Sequence, residues 1–145
     1  MLINLLIGLP TMVVCLLLQA LLLLMVIYYY RHRREAIDSP SLWSSLVVVS
    51  MVMVLLVIGN LAQIAIWALL FLLVGEFQTF SEAFYHSAVN FATLGYGDIV
   101  MSQAHKVLGP LEAINGVLMI GVSTAALMSA FQDAIRKTRQ ARQGE

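Results

Sequence analysis

From Pro10 to Tyr30 the chain runs 21 residues without a charged side chain, and two further stretches, Leu46 to Val74 and Val107 to Ile135, are nearly as apolar. Crossing the hydrocarbon core of a bilayer takes about 20 consecutive apolar residues in a helix. Inside lipid every backbone N–H and C=O has to find a partner within the protein, so stretches of this kind cross as helices. The chain therefore reads as an all-α membrane protein with three transmembrane helices. Charge content agrees: 11% of the 145 residues are charged, against about 25% in an average soluble domain, too few to solvate a surface in water. Net charge is zero, which leaves no electrostatic case for nucleic acid.

The first stretch lacks a basic leader, exceeds the usual length of a signal-peptide core and ends in charge, so it reads as a permanent helix over residues 1–30. Pro10 suits a first helical position, where its missing N–H costs nothing. Cys15 is the single cysteine; it reads as a buried apolar thiol, with no disulfide and no metal set. Seven of the eight Lys and Arg residues fall in two patches, Arg31, Arg33 and Arg34 after the first span and Arg136, Lys137, Arg139 and Arg142 after the third. Both patches belong in the cytoplasm by the positive-inside rule. The expected topology is an outside N-terminus, a cytoplasmic loop at 31–45 with a turn at Asp38 to Ser41, an outer helix at 46–74, and a cytoplasmic tail at 136–145 in a cell-membrane, multi-pass protein. Tyr28, Tyr29, Tyr30, Trp43 and Trp67 read as interfacial aromatic anchors.

Between the second and third spans lies an outward segment too apolar for a solvated loop. Thr79 and Glu82 have the spacing of a capping box, which opens a helix at 80–92. At 1.5 Å per residue that helix is under about 20 Å long, too short to cross. It must dip into the membrane and return as extended chain, and the return carries Thr93-Leu94-Gly95-Tyr96-Gly97-Asp98. Irregular backbone at membrane depth is tolerated where it lines a water-filled path. Glycine reaches conformations outside β space without steric penalty, so Gly95 and Gly97 let successive carbonyls turn toward one axis.

This helix and hexapeptide resemble the pore loop of potassium channels, whose pattern is Thr-Val-Gly-Tyr-Gly-Asp; Leu94 is the one departure within it. With average residue usage, a chance match of the five fixed positions in a chain this long has odds on the order of one in ten thousand. The resemblance covers Leu46 to Phe131. It implies a pore domain at 46–135 with outer helix 46–74, pore helix 80–92, filter 93–98 and inner helix 107–135. Potassium ions are the permeant ligand, and the implied ion sites are the carbonyls of Thr93, Leu94, Gly95 and Tyr96 with the Thr93 hydroxyl. Leu94 and Tyr96 would pack behind the filter. Gly97 shapes it, and Asp98, with Glu76 and Glu82, makes the outer mouth acidic. A ring of carbonyls must surround the ion, and one loop per chain requires a homotetramer. The pore helix would aim the negative end of its dipole at the cation.

Behind the filter this chain departs from the family's usual threonine- and aromatic-rich pattern. His86 and Asn90, one turn apart, are expected to hydrogen-bond the Tyr96 hydroxyl; the alternative for His86 is water or lipid headgroups. Glu112 is an acid inside a span and a functional candidate by default, either as a structural partner of the pore helix or as a proton-sensing or permeation group. Gly116 falls where the family's gating hinge lies, with Gly121 as a second candidate, and both equally fit close packing. Val117, Ile120, Thr124 and Met128 would face the inner cavity. Asn60, Gln63 and Asn115 read as helix-packing contacts. No arginine occurs within residues 1–30, so the extra helix is not a repeated-arginine voltage sensor, and the short basic tail is no ligand-binding domain. The expectation is passive potassium conduction with no cofactor and no enzymatic activity, partnered by the lipid bilayer and by copies of itself. The alternatives are a weakly selective cation channel and a non-conducting regulatory subunit.

Overall fold

A computed structural model describes residues 1–34 and 42–143. Four helices follow one another: α1 Leu2–Arg34, α2 Leu42–Leu73, α3 Phe80–Phe91 and α4 Leu108–Gln143. Among the described residues there is no strand, and α1, α2 and α4 are each long and apolar enough to cross a membrane. The protein is thus an all-helical, multi-pass membrane protein. The expected turn at Asp38 to Ser41 lies outside the described residues.

Helix α1 begins eight residues ahead of Pro10, which sits inside it and not at its start. The residues before it are almost all apolar, and in lipid an unpaired backbone is costlier than a proline in a helix. Thr11 donates its hydroxyl to the Ile7 carbonyl at 2.9 Å, one residue past the Leu6 carbonyl whose helical donor the proline removes. Both ends of the anticipated 31–45 loop are helical instead, through Arg34 and from Leu42. Helix α4 likewise runs on through the tail to Gln143, because residues 132–143 contain no glycine or proline to stop it.

The helix ends are set by local chemistry. Gly75 at φ +76° closes α2: its N–H bonds Leu72 O and the Glu76 N–H bonds Phe71 O, each at 3.0 Å. This pair of bonds is the left-handed C-terminal motif that favours glycine. Thr79 caps α3, its hydroxyl accepting from the Glu82 N–H at 3.3 Å, as the spacing predicts.

Helix α1 packs against α2 and α4, and the short α3 is held between α2 and α4. All four helices contribute to a fully buried cluster of Cys15, Trp67, Ala68, Phe71, Ala83 and Leu108. Trp67 therefore packs in the core, its ring centroid 6.0 Å from that of Phe71, and is no interfacial anchor. Polar side chains fasten α1 to the rest. Asn4 donates to Ala104 O at 2.7 Å. Gln19 accepts from Gln63 on α2 at 2.8 Å and donates to Ser123 on α4 at 3.0 Å, and Ser123 reaches Asn60 at 3.5 Å. Gln63 and Asn60 thus make interhelical contacts, whereas Asn115 is fully buried with neither of its side-chain polar atoms hydrogen-bonded.

Candidate functional site

The site grows from the C-terminal end of α3. The Thr93 N–H bonds Asn90 O and the Leu94 N–H bonds Val89 O, both at 2.9 Å. This repeats the motif that ends α2, with a threonine at the left-handed position: Thr93 has φ +56°. A β-branched residue at positive φ is an outlier that the surroundings must enforce, and such strain gathers at functional segments. Gly95 at φ +58° and Gly97 at φ +73° continue the pattern, so every second residue from Thr93 to Gly97 is left-handed. An alternation of this kind turns consecutive carbonyls to the same side.

The segment is anchored at its outer end. Tyr85, on the first half of α3, donates its hydroxyl to Asp98 Oδ2 at 2.7 Å, and this bond holds the Asp98 carboxyl below the ordinary carboxylate range. Nothing in the sequence singles out Tyr85, since an exposed tyrosine on a short helix carries no periodic signal. Glu76, expected as a solvated acid of the mouth, is engaged instead. It accepts from the Ser102 N–H at 2.7 Å, the Ser102 hydroxyl at 2.5 Å and His105 Nδ1 at 2.7 Å. Partial burial pushes its carboxyl up, but the bonds from Ser102 and His105 outweigh that and leave it below the ordinary range. Glu76 thereby ties the α2–α3 turn to the segment between Asp98 and α4. Glu82 caps nothing beyond its own N–H bond to Thr79 and stays exposed.

Behind the segment, His86 is buried between Phe71 and Phe77, ring centroids 5.6 and 5.0 Å away. Asn90 Nδ2 lies 2.9 Å from His86 Nε2; an amide N–H can only donate, so Nε2 accepts. The expected bonds from this pair to the Tyr96 hydroxyl are not made within the chain: the two side chains bond each other, and Tyr96 points away with 65% of its surface exposed. Leu94 is likewise 53% exposed, so neither packs behind the 93–98 segment of its own chain. A cavity of about 460 Å³ lies beside His86, Asn90, Gly95 and Gly97.

Helix α4 backs α3 at two points one turn apart. Glu112 is wholly buried and meets the Ser87 hydroxyl, which also lies 2.7 Å from Ile64 O; a carboxyl enclosed in this way faces no permeation cavity. Gly116 lies against the Phe91 backbone, where a Cβ would overlap the Phe91 carbonyl, so close packing is its role here. Gly121 has open space around it. Val117, Ile120, Thr124 and Met128 are exposed on α4, with Thr124 Oγ1 donating to Ile120 O at 2.8 Å. Val117, Gly121, Thr124 and Met128 follow helical spacing and share a face that no other helix of the chain covers.

A family model described as "Ion channel" matches residues 51–133, more than half of the chain. Similar proteins include the potassium voltage-gated channel subfamily A member 6 of human, mouse and rat. Each is 37% identical over 71 residues, which make up 48% of this chain and 13% of the relative. The match thus spans a small part of those relatives. No solved structure matches the chain.

Proposed function

The chain belongs to the ion-channel family, and from that membership and its similarity to a potassium channel we propose that it conducts potassium selectively and passively through a homotetrameric pore. The observation that carries this reading is the alternation of left-handed residues at Thr93, Gly95 and Gly97 at the end of a capped, non-spanning helix. Potassium entering a narrow pore exchanges its hydration shell for carbonyl oxygens. The carbonyls of Thr93, Leu94, Gly95 and Tyr96, with the Thr93 hydroxyl, take that role, and four chains around one axis complete each ring.

The exposure of Leu94 and Tyr96 in the single chain supports assembly. In the tetramer Tyr96 enters the cavity beside His86 and Asn90 of the adjacent subunit, so the bond expected of that pair forms between subunits. Val117, Ile120, Thr124 and Met128 line the inner cavity, and Gly121, free of close contacts, is the better placed of the two glycines to act as a hinge. The basic patches set the N-terminus outside and the C-terminus in the cytoplasm. Asp98, kept ionised by Tyr85, concentrates cations at the outer mouth.

Protein reconstituted in liposomes tests the reading by flux of potassium or rubidium against sodium. Strong preference for potassium and rubidium is expected, together with loss of flux in Gly95→Ala, whose Cβ is strained at φ +58°. Equal sodium flux would make the chain a weakly selective cation channel, and silence relieved by a partner would make it a regulatory subunit.

A further inference from the structure

Among the described residues Glu112 is the only carboxyl that is fully buried. The groups around it come from every helix. Helix α1 presents Cys15 and α3 presents Ser87 and Asn90, while at one remove the Ile64 carbonyl of α2 meets Ser87 and Trp67 of α2 and Asn115 of α4 lie beside Cys15. Cys15 is the one titratable group of this set, and no Lys, Arg or His among the described residues pairs with the carboxyl. A buried carboxylate with no cation partner and few donors is strongly disfavoured.

Counting protons sharpens this. Ser87 Oγ carries a single hydrogen and touches two oxygens, Ile64 O at 2.7 Å and Glu112 Oε1. The Ile64 carbonyl can only accept, and so can an ionised carboxylate, so the one serine proton cannot serve both contacts. A proton on the Glu112 carboxyl supplies the second hydrogen: Ser87 then donates to Ile64 O and accepts from Glu112. Oε2 has no hydrogen-bond partner, a state far more tolerable for an acid than for a carboxylate.

We propose that Glu112 is held in the membrane as a neutral carboxylic acid that donates to Ser87 and bolts α4 to α3. It is a positioning residue for the filter, and that part of the inference rests on the channel reading above. The geometry of the bolt supports the role. Ser87 and Phe91 lie one turn apart on α3, as Glu112 and Gly116 do on α4, and the Glu112–Ser87 bond and the Gly116–Phe91 contact hold the helices in one register. Thr93 follows Phe91 by two residues, so a slip of α3 along α4 is transmitted directly to the filter.

Infrared difference spectroscopy of the reconstituted protein, wild type against Glu112→Gln, tests the proton directly. A carboxylic-acid C=O band is expected at neutral pH and is absent from the variant; no such band overturns the proposal. Gln can still donate to Ser87, so Glu112→Gln should keep the wild-type ratio of potassium to sodium flux. Glu112→Leu, of similar size without a donor, should lower that ratio roughly tenfold, the effect of one buried hydrogen bond on an equilibrium. Ser87→Ala removes the other half of the bolt more gently and should lower the ratio in the same direction, which keeps the test open if the Leu variant does not fold. Wild-type ratios in both Glu112→Leu and Ser87→Ala overturn the positioning role. A wild-type protein that passes no ions overturns the proposed function alone, because the infrared band is read without conduction.

Discussion

Replacing Gly116 by alanine adds one methyl group at the point where α4 lies on the last residue of α3. That Cβ would stand 2.8 Å from the Phe91 carbonyl carbon and 2.9 Å from its Cα, with the carbonyl oxygen closer still. Reaching an ordinary contact of 3.4 Å with that oxygen requires a shift of more than about 1 Å, and the obstacle is backbone, which cannot rotate aside. Overpacking costs about 1–3 kcal/mol where side chains can adjust, so this site belongs at the upper end. Alanine recovers about 1 kcal/mol of helix propensity over glycine, leaving a net loss of about 2 kcal/mol. Gly121→Ala adds the same methyl on the same helix where nothing lies within 4 Å, and should gain up to about 1 kcal/mol. Thermal unfolding of the purified variants should therefore separate the two by about 3 kcal/mol, Gly116→Ala melting below wild type and Gly121→Ala at or above it. Flux in Gly116→Ala should also fall, because Phe91 leads into the filter. Equal melting of the two variants would refute the close-packing argument.

The Tyr85→Phe variant loses the hydroxyl that holds Asp98. Potassium flux should decay faster during sustained conduction than in wild type, and an unchanged time course would show that the tether is idle. The Glu76 clamp carries a pH dependence of definite sign. Its carboxyl lies below the ordinary glutamate value of 4.5 in the folded protein, so its stabilisation is present above that value and is lost as pH falls through the folded pKa. Melting temperature in detergent should drop on that acid side, and Glu76→Gln should flatten this part of the profile; an identical slope would remove Glu76 as the cause. Substituting Gln19 by leucine breaks two buried interhelical bonds, and in a membrane each is worth about 0.6 to 2 kcal/mol. A loss of about 1–4 kcal/mol in unfolding from detergent is expected, against no change if α1 is held by apolar packing alone.

Much of the molecule is legible from residues taken a few at a time. Runs without charge dictate helices because lipid satisfies no backbone group, and Thr79 with Glu82 marks the start of α3 because a cap is a contact over three residues. Gly95 and Gly97 announce the left-handed alternation because φ is a local variable; Thr93, left-handed as well, does not, since its conformation is imposed by the helix it closes. Pro10 misleads for a related reason, as its rule holds for helices in water and the apolar residues before it lie in a membrane.

What the sequence by itself determined is therefore the set of membrane helices and the resemblance of Thr93 to Asp98 to a pore loop, each resting on composition or on a motif of adjacent residues. Only the tertiary structure decided which polar side chains meet: Glu76 with His105, Ser87 with Glu112, and Gln19 with Gln63 and Ser123. In a water-soluble helix the buried stripe stands out against a polar face. In lipid the outside of the bundle is as apolar as its inside, so the helices carry no such stripe, and the packing itself is what assigns each buried polar group its partner.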